Sequence, residues 1–149
     1  MESRFFEDFA LDQSFVSRGR TVTEADVVNF AGLSGDFVEL HVNERYASES
    51  RFGRRIAHGA LVFSMSTGMS VEACAIHRTV LAFYGIDKLR FTRPVFIGDT
   101  IHTEKRVLEK QTKDAGGVLT FETRVINQTG DIVLVYNDKM VLRIREQRV

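Results

Sequence analysis

The sequence predicts an α+β fold in which one long helix packs against an antiparallel sheet. Helical signals are concentrated before about Ala75, and the segments after it have the pattern of strands separated by turns. The 149 residues include one proline, Pro94, and we expect a single domain over 1–149. A long sheet with one central helix is an α+β layout.

The first half of the chain contains signals for two shorter helices. Thr23 is suited to cap the first, because its hydroxyl can accept a backbone N–H, and the run 33–36 with its glycine ends that helix. Asn43 is suited to cap a short helix that extends through Ser50. We expect their inward-facing residues to be Val27, Phe30, Ala31, Leu33, Tyr46 and Ala47.

A longer helix is predicted to begin near His58-Gly59. Apolar residues recur along it at three- and four-residue spacing, which gives one apolar face. Its other positions are unusually small, which indicates that neighbouring elements wrap it closely. The apolar set is Leu61, Val62, Met65, Met69 and Ala73, and the small set is Ala60, Ser64, Ser66, Thr67, Gly68 and Ser70.

Strand-like segments account for most of the remaining chain. One side of the segment 100–111 presents Ile101, Thr103, Lys105 and Val107, at the two-residue period of a strand. Glycines mark turns at 98–99, 115–117 and 128–131. The predicted strands cover 15–22, 79–83 continuing through 85–93, 100–111, 118–127 and 132–144.

Composition excludes several classes of partner. The formal net charge is zero, with 20 basic and 20 acidic residues, whereas nucleic-acid-binding domains usually carry a positive excess. A single cysteine, Cys74, forms no intramolecular disulfide; it favours a reducing compartment, and we expect it to be buried in the helix. We find no signal peptide and no apolar run long enough to span a membrane, and we therefore expect a cytoplasmic protein without a membrane partner.

Asp36 and His41 are the first candidates for chemistry. They lie five residues apart in the segment that breaks the first helix. A carboxylate and an imidazole together can deprotonate water and protonate a carbon, and the ordinary histidine pKa of about 6.5 suits this task. Each residue alone has a structural alternative, Asp36 as a turn residue and His41 as a satisfied core histidine.

His58-Gly59 adds a second element to the candidate site. A glycine at the start of a helix leaves its N–H uncovered at the positive end of the helix dipole, where it can bind an oxygen that becomes negative. The alternative is a helix start at which glycine permits close packing.

The combined pattern resembles the MaoC-like hydratases, which include the (R)-specific enoyl-CoA hydratases. The resemblance extends from about Arg20 to Val141. Its residues are Gly35-Asp36-Phe37, His41, Ala47, Phe52, Ile56, His58-Gly59, Phe91-Thr92-Arg93-Pro94-Val95 and Gly98-Asp99-Thr100.

The resemblance implies a hot-dog fold, in which a curved antiparallel sheet wraps a long central helix, and an enoyl-thioester hydratase (a hydro-lyase) that needs no cofactor. It assigns the acid–base work to Asp36 and His41 and the thioester carbonyl to the Gly59 N–H. Thr67 would support the site together with His58, although a threonine bonded back to its own helix is an equal alternative. The product would be a 3-hydroxyacyl thioester of R configuration.

Two positions depart from the family pattern. Val38 and Glu39 stand where the family usually has Asn-Pro, and Arg55 stands where many relatives have proline. The second departure enlarges a basic cluster that can receive the phosphates of coenzyme A, since arginine pairs well with phosphate, or that forms a solvated surface loop. Its candidate residues are Arg51, Arg54, Arg55 and Arg93.

Two rival functions remain open. A hot-dog thioesterase would direct water at the acyl carbon, and a non-catalytic acyl-CoA-binding regulatory module would bind without turnover. We see no metal site, because His77 and His102 lack partners at ligand spacing. We expect an acyl-CoA substrate and a homodimer or higher oligomer that hides an exposed strand edge.

Overall fold

The computed structural model describes residues 2–114 and 116–145. Within these ranges, four helices and a short 3₁₀ turn, Phe6–Asp8, accompany six strands. The helices are α1 (Glu24–Ser34), α2 (Glu39–Val42), α3 (Glu44–Glu49) and α4 (Gly59–Cys74). The strands are β1 (Ser14–Val16), β2 (Arg20–Thr21), β3 (Val80–Phe91), β4 (Thr100–Lys113), β5 (Gly116–Ile126) and β6 (Ile132–Leu142).

The strands form an antiparallel sheet in the order β1-β4-β5-β6-β3, with β2 pairing to the other end of β4. Long hairpins join β4 to β5 and β5 to β6, and β3 returns to the open side of β6. This arrangement confirms the predicted α+β class. It also leaves β3 at the edge of the sheet, paired only with β6 among the described strands.

Helix α4 packs on the sheet through its apolar face and carries the core. Leu61, Val62, Met65 and Met69 join one buried cluster near its start. A second cluster near its end contains Cys74, whose predicted burial is confirmed. Each such buried aliphatic side chain contributes about 1.5–3 kcal/mol relative to exposure, so this face holds the helix in place.

Only part of the small set on α4 is covered by the described chain, since Ser66 and Ser70 are buried. Ala60, Ser64 and Gly68 are exposed along one side of the helix. The prediction that neighbouring elements wrap α4 closely is therefore confirmed only for the side of the helix that faces the sheet. The uncovered stripe adjoins the edge strand β3, across a groove that Thr67 lines together with Leu81.

Local signals predicted the helix ends well. Thr23 Oγ1 accepts the Asp26 N–H while the Asp26 carboxylate accepts the Thr23 N–H, which forms a capping box at the start of α1. Gly35 ends α1 in the left-handed conformation with φ 77°, which glycine adopts without steric cost. Asn43 caps α3 by accepting the Tyr46 N–H, as predicted.

Several element predictions were wrong in detail. The segment expected as one strand over 15–22 is two short strands, because Ser14–Val16 and Arg20–Thr21 pair with different parts of β4. Leu33 is 86% exposed and Tyr46 is half-exposed, since both lie on helix sides away from the core. Gly116 and Gly117 belong to β5 instead of a turn, and Ala115 lies outside the described residues.

The alternation predicted for β4 is confirmed. Ile101, Thr103, Lys105 and Val107 are all buried. Lys105 is accommodated because its Nζ donates to Asp138 Oδ2 at 2.6 Å, and the second carboxylate oxygen accepts the Thr123 hydroxyl at 2.6 Å. A buried charge therefore has a buried, hydrogen-bonded partner, as desolvation requires.

Within the described residues, no helix has both the length and the apolar character needed to cross a membrane.

Candidate active site

The structure brings Asp36 and His41 together at the start of α4. A carboxylate oxygen of Asp36 and one ring nitrogen each of His41 and His58 lie within 4.8 Å of one another. Asp36 directly follows the glycine that ends α1, and His41 lies on the single turn α2. The irregular chain between the two helices thus places both side chains beside His58, the residue that directly precedes α4.

His41 is oriented by the backbone of the segment that leads into α4. Its Nδ1 lies 2.7 Å from the carbonyl oxygen of Ile56. A carbonyl only accepts, so this contact places the proton on Nδ1 and leaves the Nε2 lone pair free for another proton. The Ile56 N–H in turn donates to the Leu40 carbonyl at 3.1 Å, which holds the two segments side by side.

His58 is buried between the loop and the core. Its Nε2 lies 2.9 Å from the main-chain oxygen of Asp36, so the N–H donates there and fixes the loop next to the carboxylate. Its ring stacks on His41, with centroids 3.8 Å apart, and it packs against Phe30 on another side. Within the described chain its Nδ1 is buried and has no hydrogen-bond partner. The predicted supporting role of His58 therefore has a physical basis in this geometry.

Gly59 is the first residue of α4, where a backbone N–H has no partner within the helix. The Phe91 ring lies directly over its Cα. A Cβ built at this position would lie 2.9 Å from Phe91 Cε1, closer than side chains tolerate. An added Cβ would displace the Phe91 ring, which is 53% exposed, so glycine at this position lets Phe91 pack closely against the start of α4.

A cleft of about 420 Å³ opens beside Gly59. Its walls are mainly apolar, and its lining includes Arg51 and Arg93, of which Arg93 also places its Nε 3.6 Å from an Asp131 carboxylate oxygen. Asp36 and His41 are not part of that lining in the described chain. The cleft and the acid–base cluster instead meet at the His58-Gly59 junction, where the cluster contributes His58 and the cleft contributes Gly59.

The predicted arginine cluster divides into separate roles. Arg51 and Arg93 line the cleft, and Arg54 lies on the Phe96 ring, 4.0 Å from its centroid. Arg55 is directed elsewhere, because its guanidinium is bonded to Glu24 and Glu44. The expectation that Arg55 receives a phosphate is therefore not supported by its geometry.

Thr67 is not brought to the acid–base cluster. Its hydroxyl donates to the Ser64 carbonyl of its own helix at 2.8 Å, which is the structural alternative noted for this residue. It lies eight residues beyond Gly59, roughly 12 Å along the helix axis. In this chain it lines the groove beside β3.

Comparison with known proteins identifies the family. The family model described as "MaoC like domain" matches residues 8–129. This chain belongs to the MaoC-like family. Over 110 residues it is 42% identical to Protein MaoC of Klebsiella aerogenes, a match that spans 74% of this chain and 32% of that protein. Over 101 residues it is 43% identical to an (R)-specific enoyl-CoA hydratase of Rhodospirillum rubrum, spanning 65% of each.

Two solved structures have the same architecture. A protein of Archaeoglobus fulgidus described as a monoamine oxidase regulatory protein matches with a TM-score of 0.87 and 37% identity, over 97% of this chain and 98% of that one. A Mycobacterium tuberculosis protein with a double hot-dog fold matches with a TM-score of 0.84 at 22% identity, over 99% of this chain and 46% of that one. The predicted hot-dog fold is therefore confirmed. The chain spans about a third to two thirds of the two curated relatives named above.

Proposed function

We propose that this MaoC-like chain is a hydratase that adds water reversibly to an α,β-unsaturated acyl-CoA and forms the (R)-3-hydroxyacyl-CoA. The observation that carries the proposal is the convergence of Asp36, His41 and His58 directly before the first residue of α4. Similarity to an (R)-specific enoyl-CoA hydratase supports the same reaction.

The acid–base step uses the Asp36 carboxylate, one oxygen of which also accepts the Val38 N–H at 3.3 Å, and the Nε2 atom of His41. Asp36 and the Nε2 lone pair of His41 hold a water molecule and take one of its protons as its oxygen attacks the β-carbon. The thioester carbonyl accepts the Gly59 N–H and carries the negative charge that develops as the electron pair moves from the double bond. The proton is then delivered to the α-carbon, so that water is added with no net loss or gain of electrons.

The cleft beside Gly59 is suited to the thioester and its carrier. Its apolar walls fit an acyl or pantetheine chain, and Arg51 and Arg93 provide cations for phosphate at its margin. Arg54 is exposed nearby and adds to the same basic surface. We propose coenzyme A as the carrier for this reason.

Two other functions would use the same site. A thioesterase would direct the activated water at the acyl carbon and release free coenzyme A. A binding module without turnover is supported by the resemblance to a protein described as regulatory. It is also supported by Val38 and Glu39, which stand between Asp36 and His41 where the family usually has Asn-Pro. We favour hydration because the free Nε2 of His41 and the carboxylate lie beside a helix-terminal amide, which gives a proton acceptor and an oxyanion donor together.

We also propose that the chain acts in the cytoplasm as a homodimer. Its edge strand β3 exposes an apolar surface on both faces, next to the exposed small residues of α4, which are Ala60, Ser64 and Gly68. Antiparallel pairing of two β3 strands about a two-fold axis would satisfy both backbone edges and cover this surface. The exposed large apolar residues of β3 are Leu81, Phe83, Tyr84, Ile86 and Phe91.

The test is hydration of crotonyl-CoA by the purified protein, followed by loss of the conjugated enoyl-thioester absorbance and by product analysis. Formation of 3-hydroxybutyryl-CoA without free coenzyme A is expected. Asp36→Asn and His41→Gln should each lower kcat by at least about 10²-fold, the contribution typical of acid–base groups. Release of free coenzyme A would establish the thioesterase, and binding without turnover across acyl chain lengths would establish the binding module.

A further inference from the structure

The loop that carries Asp36 and His41 has little anchorage in the core. Helix α2 contributes no buried side chain within the described structure, and Phe37 and Val38 are exposed. The position of the two side chains is therefore set largely by hydrogen bonds and by the stacking of His41 on His58, because no side chain of α2 is fully buried.

Asp36 bonds locally to Ser34 and Val38, and the hydrogen bonds that tie the loop to a distant part of the chain lead to one short segment, residues 56–58. The Ile56 N–H donates to the Leu40 carbonyl at 3.1 Å, and the Ile56 carbonyl accepts from His41 Nδ1 at 2.7 Å. His58 Nε2 donates to the Asp36 carbonyl at 2.9 Å. A displacement of residues 56–58 would therefore displace both side chains at once.

Arg55 immediately precedes this segment and binds both flanks of the loop. Its two terminal nitrogens donate to the two carboxylate oxygens of Glu24 at 2.7 Å, and its Nε donates to Glu44 at 2.7 Å. Glu24 is the first residue of α1, which precedes the loop, and Glu44 is the first residue of α3, which follows it. The Arg55 side chain is only 16% exposed, which limits competition from water.

We propose that Arg55 is a positioning residue, which ties the helices on either side of the Asp36–His41 loop to the segment that orients His41. The inference rests on the proposed function insofar as His41 is the group whose position matters for turnover. A lysine cannot replace the arginine fully, because three N–H groups in one rigid plane serve two carboxylates. The electrostatics agree, because the Arg55 hydrogen bond lowers the pKa of Glu24 and both glutamates raise the pKa of Arg55.

A positioning role and a merely structural role predict different effects. Ion pairs whose carboxylates are largely exposed contribute little to folding stability, and Glu24 and Glu44 are both more than half exposed. Displacing a catalytic group by about 1 Å can cost as much as 10²-fold in rate. Loss of Arg55 should thus lower kcat by about ten- to a hundredfold, change KM by no more than about twofold, and leave the unfolding midpoint nearly unchanged.

The experiment compares Arg55→Met and Arg55→Lys with Arg45→Met. Arg45 is a matched control, an arginine on α3 with a 92% exposed side chain and one long ion pair to Glu49. Steady-state hydration of crotonyl-CoA gives kcat and KM. In parallel, ¹⁵N-imidazole NMR follows the His41 Nδ1–H, which donates to the Ile56 carbonyl.

In Arg55→Met we expect faster solvent exchange of the His41 Nδ1 proton, a mixed tautomer and the loss in kcat. Arg55→Lys should recover part of both effects, and Arg45→Met should match the parent protein. Glu24→Ala combined with Glu44→Ala removes the acceptors and should reproduce Arg55→Met, and adding Arg55→Met to this pair should cause no further loss.

The proposal is overturned if Arg55→Met keeps both the parent kcat and the protected His41 proton, or if its only effect is a higher KM. The NMR readout does not depend on turnover. If the parent protein hydrates no enoyl-CoA, the proposed function fails, while the tautomer and exchange data still decide whether Arg55 positions His41.

Discussion

The imidazole rings of His41 and His58 stack face to face, with centroids 3.8 Å apart and planes inclined by 29°. One histidine donates to the Ile56 carbonyl and the other to the Asp36 carbonyl. Each ring therefore has one nitrogen committed to the backbone. The stack holds the exposed loop against the buried start of α4. This contact is what a histidine at position 58, directly before Gly59, provides.

His58 can be tested with a pair of amide substitutions. The glutamine amide nitrogen can occupy the place of Nε2 and keep the hydrogen bond to Asp36, whereas the shorter asparagine reaches only the Nδ1 position. Loss of one such hydrogen bond in a buried setting costs about 1–3 kcal/mol. We expect His58→Gln to retain at least about tenfold more kcat than His58→Asn. Equal activity in the two variants would contradict a role for the Asp36 contact.

Gly59→Ala should impair turnover for steric reasons that a second substitution can identify. The new Cβ would lie 2.9 Å from the Phe91 ring, which must then move across the mouth of the cleft. We expect kcat/KM for crotonyl-CoA to fall by about tenfold or more, in keeping with a displaced oxyanion donor. Gly59→Ala combined with Phe91→Ala should recover activity relative to Gly59→Ala alone. If the double variant does not recover activity, the loss in Gly59→Ala arises from the backbone at residue 59 and not from contact with Phe91.

We expect the buried ion pair of Lys105 and Asp138 to contribute to folding stability and to have no part in turnover. Lys105→Met leaves the Asp138 carboxylate buried with only the Thr123 hydroxyl as its partner. Breaking one side of a buried pair typically costs about 3–5 kcal/mol, whereas an apolar replacement of both partners is often neutral. Urea unfolding should show a smaller loss for Lys105→Met/Asp138→Leu than for Lys105→Met. A double variant less stable than the single one would refute this account.

Cys74 gives the fold a pH dependence at alkaline pH. Burial raises the pKa of its thiol from an ordinary value of 9.0 to about 11. As the pH rises, the thiol ionises in the unfolded chain before it ionises in the folded protein. The stability that the protonated thiol contributes to the folded state is therefore fully present below about pH 9 and is lost as the pH rises toward 11.

A comparison with Cys74→Ala isolates this contribution from other alkaline titrations. The difference in unfolding free energy between the two proteins should shrink by about 1 kcal/mol between roughly pH 8.5 and pH 10, because one pKa unit corresponds to ~1.4 kcal/mol. A difference that stays constant over this range would show that the thiol ionises equally in both states.

The edge strand β3 should control the oligomeric state. Light scattering is expected to show a dimer for the parent protein and a shift toward monomer for Leu81→Lys, which places a charge in the apolar groove beside β3. Val28→Lys is the matched control, because Val28 and Leu81 are both 49% exposed and Val28 lies on α1. A monomeric parent protein, or equal shifts in both variants, would rule out this interface.

Helix ends and strand alternation were predictable because they depend on neighbours within a few residues. Thr23, Gly35 and Asn43 act on backbone groups of their own turn, so their roles could be inferred before any fold was known. Leu33 and Tyr46 were misassigned because an apolar residue on a short helix can lie on either side. The rest of the chain decides which side is covered.

The sequence by itself determined the division into helices followed by strands, the glycine at the start of the long helix and the short spacing between Asp36 and His41. Only the tertiary structure decided the hydrogen-bond partners, which lie 11 to 31 residues apart along the chain. It paired His41 with Ile56, and it directed Arg55 to Glu24 and Glu44 instead of leaving it free for a phosphate. The physical reason is that hydrogen bonds and ion pairs act over a few ångströms in space, and one-dimensional spacing does not specify which distant groups the fold brings within that range.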